Sequence, residues 1–134
     1  MKRIMLMNAL RQIAESLGYR FLAGREERLA PLTRGLPAVW VTPLRLRKAE
    51  GRAWRRDTYA VRLRLIAPSV SQEPEAGWQT LEADASRMFT QLGQAAGVRY
   101  VEGLKVTPDE QPVVLREAVS VTAEFDAVVC YYQA

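Results

Sequence analysis

Two periods alternate along this chain. In residues 3 to 17 the apolar Leu6, Leu10, Ile13 and Leu17 recur at steps of four, three and four, with Asn8, Arg11, Gln12, Glu15 and Ser16 elsewhere. That spacing predicts an amphipathic helix stopped by Gly18. A second helix follows from Trp78, Leu81, Ala85, Met88, Leu92 and Ala96, with Gly97 as its stop. From Trp40 the period is two: Trp40, Thr42, Leu44 and Leu46 alternate with Val41, Pro43, Arg45 and Arg47, and Tyr59, Val61, Leu63 and Leu65 with Ala60, Arg62, Arg64 and Ile66. A turn between Ala49 and Arg52 makes these a β-hairpin whose paired numbers sum to about 101. Trp40 then faces Val61 and Leu44 faces Asp57 on one side, with Val39 opposite Arg62 and Arg45 opposite Arg56 on the other. Pro43, lacking an amide hydrogen, marks an edge or a bulge.

Shorter signals fill the rest. "YRFLA" predicts a short strand, and "GREERLAPLTRGLP", with two glycines and two prolines, a long surface loop. "APSVSQEPEAG" breaks the chain before the second helix. "VRYVEGLKV" predicts a strand kinked at Gly103, and "TPDEQP" a turn. "AVSVTAEFDAVVCYY" predicts a long final strand with Val119, Val121, Ala123, Phe125, Ala127 and Val129 on one face and Ser120, Thr122, Glu124 and Asp126 on the other. A chain of 134 residues, 49% hydrophobic, suits a single domain spanning 1-134. The element order predicts an α+β fold: two helices packed on one face of a mostly antiparallel sheet with a long β-hairpin. One shared core is expected from Leu10, Ile13, Leu17, Trp40, Leu44, Val61, Leu63, Trp78, Leu81, Met88, Leu92, Val121 and Phe125.

Charge sharpens the picture. The net +4 conceals 15 Lys and Arg against 5 Asp and Glu in residues 1 to 67, a net of +10, and 4 against 10 in residues 68 to 134, a net of −6. All but three of the basic residues are arginine, the side chain that forks onto carboxylate or phosphate and stacks on aromatic rings. The hairpin concentrates them at Arg45, Arg47, Arg52, Arg55, Arg56, Arg62 and Arg64, and Trp54 puts a large aromatic among them at the tip, a candidate contact residue. Trp40 and Trp78 fall on apolar faces and read as core anchors.

Catalytic chemistry is poorly represented. The chain has no His and a single cysteine, Cys130, which removes the commonest general base and any multi-thiolate zinc site. Cys130 sits in "AVVCYY" and reads as a small buried or strand residue rather than a reactive thiol. No glycine-rich phosphate loop occurs, so no nucleotide cofactor is expected. Carboxylates pair at Glu26/Glu27, Asp109/Glu110 and Glu124/Asp126; the last two residues share a strand face, which is ordinary for a solvated face but would also suit a cation. No apolar run long enough to span a membrane is present, and the N-terminal segment reads as a helix, not a signal peptide. The expectation is a non-enzyme without metal or cofactor, compatible with a reducing cytoplasm.

Three uses of the arginines follow. The hairpin and its tryptophan could contact phosphates and bases of nucleic acid. The basic half could meet the acidic half of another copy in a heterologous contact that closes into a ring. Or Arg62 and Arg64 could simply pair with Glu124 and Asp126 in the same sheet. The charge asymmetry favours assembly.

The order of N-terminal helix, "WVTPLRLRKAEGRAWRRDTYAVRLRLIAP" hairpin, "WQTLEADASRMFTQL" helix and "REAVSVTAEFDAVVCYY" strand resembles the tail terminator and tail-completion (minor tail) proteins of long-tailed bacteriophages and prophages. The resemblance covers nearly the whole chain and rests on pattern and size, with no signature motif. It implies a small α+β subunit of a homo-oligomeric ring, a hexamer, capping the tail tube and meeting the head-side connector, assembled in the host cytoplasm. It carries no catalytic residues over. The hairpin is more basic than that pattern requires, which leaves DNA as the alternative partner.

Overall fold

The computed structural model describes residues 2–24, 35–68, 74–110 and 118–133. Most of the expected 24–37 loop with Glu26 and Glu27, part of the 67–77 break and the end of the "TPDEQP" turn lie outside them. The elements run α1 (Lys2–Ser16), β1 (Arg20–Ala23), β2 (Ala38–Val41), β3 (Arg45–Glu50), β4 (Trp54–Pro68), α2 (Glu75–Gly93), β5 (Val98–Pro108) and β6 (Ala118–Tyr132). The sheet has six strands in the order β1-β2-β4-β6-β5, with β3 also on β4, beyond β2 on the same edge. Only the β1–β2 pair is parallel. The fold is therefore α+β, with both helices against one face of a largely antiparallel sheet.

That face is where the period-two residues converge. Val61, Leu63 and Leu65 of β4 and Val121, Ala123, Ala127 and Val129 of β6 are buried against Leu6, Leu10 and Ala14 of α1 and Leu81, Ala85, Met88 and Leu92 of α2. The alternation expected for β6 sets Val119 to Val129 under the helices, although Ser120, Thr122 and Val128 on the opposite face are buried as well. Gly77 lets the first turn of α2 approach β6, because a Cβ there would stand 2.7 Å from Val119 Cγ2. The helix ends at Gly93, four residues before the expected stop, and Gly97 lies in the turn into β5. The kink expected at Gly103 is a break in the β5–β6 register between Glu102 and Lys105.

The hairpin differs from expectation in register. The observed partners are Trp40↔Arg64, Arg45↔Ala60 and Glu50↔Arg56, with sums of 104 to 106. The turn occupies Gly51 to Ala53 rather than the expected Ala49 to Arg52. The Pro43 interruption separates β2 from β3, and a bulge at Arg47 adds one more residue to that arm. An odd register displacement exchanges faces. Trp40 consequently leaves the helix-covered core and joins Ile66, Leu22, Leu36 and Ala118 in a smaller cluster, while Val39 and Val41 take the core positions. Trp40 donates its indole N–H to the Gly24 carbonyl at 3.0 Å. The expected Arg45–Arg56 confrontation does not occur.

One buried polar pair joins the helix layer to the sheet edge. The Tyr19 hydroxyl donates to Asp84 Oδ2 at 2.5 Å, and Arg87 donates to Asp84 Oδ1 at 2.8 Å. Tyr19 is pushed well above the ordinary phenol range, first by burial and then by the Asp84 carboxylate that its proton serves. Because the folded state holds this proton more tightly than the unfolded state, the stabilisation is complete below the unfolded pKa of about 10 and is lost as pH rises above it. Tyr19→Phe is expected to cost about 1–2 kcal/mol at neutral pH, since Asp84 loses one donor and keeps Arg87. The variant should also show a flatter fall in stability above pH ~10 in denaturant titrations.

Candidate interaction surface

The helices leave the other face of the sheet to polar side chains, and β-pairing sets them in rows. Arg62 stands opposite Glu124 and Glu124 opposite Lys105; the next row runs Arg45, Ala60, Asp126 and Glu102. Arg62 Nε lies 3.7 Å from Glu124 Oε1. The bulge at Arg47 places its guanidinium 2.5 Å from Asp126 Oδ2, so the bond crosses the β4 strand that separates β3 from β6. Arg64 pairs at 3.5 Å with Asp109, which also accepts from Ser120 and Thr122. The basic first half and the acidic second half of the chain thus meet inside one molecule. Exposed pairs of this kind contribute little, about 0–1 kcal/mol each, whereas Arg64 and Asp109 are both largely buried.

This pairing changes what the charge asymmetry argues. Glu124 and Asp126 are the counterparts of Arg62 and Arg47 within the chain, and the +10 against −6 contrast no longer requires a second copy. The carboxylate pair is also engaged by arginines rather than poised for a cation. Among the described residues no cluster of metal-ligating side chains occurs.

A groove of about 630 Å³ opens on this face. Ala60 and Gly103 contribute no long side chain to it, Arg45 and Arg47 line it from β3, and Lys105 lines it from β5. Arg47 and Arg62 have partners; Arg45 and Lys105 make no ion pair among the described residues.

The hairpin tip forms a second region. Trp54 is 70% exposed and Tyr132 59%, and their rings meet edge to face at 5.2 Å. Arg56 stacks on Tyr100, 5.4 Å from its centroid, and donates to its hydroxyl. Arg52 is exposed in the turn, and Cys130, opposite Arg56, is exposed rather than buried. Arg55 instead belongs to the helix side, beside Asp57 and Tyr131. There the Tyr131 hydroxyl donates to Asp57 at 2.8 Å, which raises its pKa.

The structure thus brings Arg45, Arg47, Arg62 and Arg64 onto one charged face, gathers Arg52, Trp54 and Arg56 at the tip, and separates Arg55 from both. Tyr100, Lys105, Asp109 and Tyr132 join these regions without a signal in the hairpin itself. Tyr132 could have been found from the end of the β6 alternation, which continues through Cys130 to Tyr132. Among the described residues no helix is long and apolar enough to cross a membrane. No protein-family model matches the chain, and no curated protein matches it.

Proposed function

We propose that this chain is a non-enzymatic structural subunit of a phage or prophage tail, acting in a homo-oligomeric ring that terminates or completes the tail tube. Its neighbours are copies of itself, tail-tube protein and the head-side connector, and it assembles in the host cytoplasm before residing in the virion tail. The observation that carries an assembly role is the Trp54–Tyr132 pair. Two large aromatics held together in solvent at the end of two 15-residue strands have the character of an interface anchor. The tail assignment itself comes from the resemblance in element order and size.

Nucleic-acid binding is the second reading, favoured by Arg52 next to Trp54, a phosphate donor beside a stacking ring. A Trp54→Ala/Tyr132→Ala double variant separates the two. If the tip is a subunit contact, light scattering at high concentration shows the wild-type oligomer reduced to the mass of one chain, with unchanged circular dichroism. If the tip serves nucleic acid, the oligomer is untouched and a salt-dependent shift of labelled DNA disappears. A wild-type protein that is monomeric at every concentration, binds no tail component and binds DNA steeply with salt would overturn the ring.

A further inference from the structure

We infer that the uncovered sheet face receives an exposed flank of α2 from a second copy, with Glu75 and Glu82 of one chain set against Arg45 and Lys105 of the next. The inference rests on the ring reading and names the contact that would build it. Charge selects the occupant. The groove is lined by four cations, Arg45, Arg47, Arg62 and Lys105, against two carboxylates. In the helix layer α1 carries three basic residues and one acid, whereas α2 carries Glu75, Glu82 and Asp84 against Arg87. Asp84 is turned inward to Tyr19, which leaves Glu75 and Glu82 as the exposed acids of α2.

Spacing agrees with charge. Residues seven apart on a helix share a side and stand about 10 Å apart. Arg45 and Lys105 line opposite rims, three strand spacings apart across β3, β4, β6 and β5 and two residues apart along the strands, about 16 Å between backbones, a span that their long side chains shorten toward the groove. Neither makes an ion pair among the described residues, so neither contact has to displace an internal partner. Ala60 and Gly103 leave the room between the rims.

The sheet edges are less suited to joining copies. β1 is only four residues long, β3 carries Lys48 and the Arg47 bulge, and β5 has two register breaks and Lys105, features that oppose strand addition. A face-to-helix contact uses different surfaces on the two partners, so repetition closes a ring when the rotation permits.

Charge reversal tests this directly. Arg45→Glu/Lys105→Glu and, separately, Glu75→Arg/Glu82→Arg should each reduce the wild-type oligomer to single-chain mass by light scattering. All four positions are exposed, so circular dichroism should stay unchanged. Mixing the two variants in equal amounts should restore the oligomer, because each then offers the surface the other needs. A wild-type oligomer that survives both reversals, or variants that do not recover on mixing, would overturn this contact while leaving the ring in place. A wild type that is monomeric throughout would overturn the ring and the contact together. Loss of DNA binding from the first variant with an unchanged oligomer would assign the face to nucleic acid instead.

Discussion

Gly51→Val is expected to lower stability by about 3 kcal/mol or more and to disorganise the hairpin tip, by the sum of two backbone effects. Gly51 has φ +91°, a region that a β-branched residue enters only at a cost of about 1–3 kcal/mol. In addition, a Cβ at this position would overlap the Trp54 carbonyl oxygen, a backbone atom that cannot rotate away. Relief would require moving Trp54, whose strand pairs with β6 from Tyr132 onward. The effect should therefore spread to the Trp54–Tyr132 contact. Intrinsic tryptophan fluorescence, together with a urea melt, would register both parts, and a melt within error of wild type would show that the turn has another solution.

Leu81→Ala should cost roughly 2–5 kcal/mol. Leu81 is 1% exposed and lies in the middle of α2, among the buried residues of both helices and the sheet. Alanine keeps the helix propensity, so the loss comes from removed contacts and the cavity that remains. A chemical denaturation midpoint lowered with an unchanged slope is the expected signature. An unchanged midpoint would remove Leu81 from the core.

The elements that sequence spacing located well are those with one apolar face. The final strand, α1 and most of α2 follow from Val119 to Val129, Leu6 to Leu17 and Trp78 to Leu92, because burial on one side imposes a single period. The hairpin register escaped because both of its arms alternate, so period alone permits any pairing, and the bulge at Arg47 has no sequence mark. That one uncertainty moved Trp40 to the opposite face. Of the expected shared core, the other members do gather under the helices, with Ile13, Leu17 and Trp78 only partly buried. The arginine face was legible from the alternation of Arg62 and Arg64 with Val61, Leu63 and Leu65. Which acids answer it was half legible: Glu124 faces Arg62 as the simplest pairing suggests, but Arg64 takes Asp109, more than forty residues away, and Asp126 goes to Arg47. Asp84 was hidden because a carboxylate on the inner side of a helix contradicts the pattern unless a donor such as Tyr19 is known to sit there.

The pairing of β4 with β6 has a kinetic consequence. Partners along this fifteen-residue ladder are between 50 residues apart, Pro68 with Ala118, and 78 apart, Trp54 with Tyr132. The middle of the sheet therefore cannot be zipped from a local turn. The chain must first close a large loop containing α2 and β5, and loop closure has to precede the reward of those contacts. Refolding should be slower than in helical domains of similar length, and during that interval the apolar side of β4 lacks its neighbour. The arginines on the reverse side of β4 would then act as solubilising charges on an unpaired strand, before any native partner reaches them.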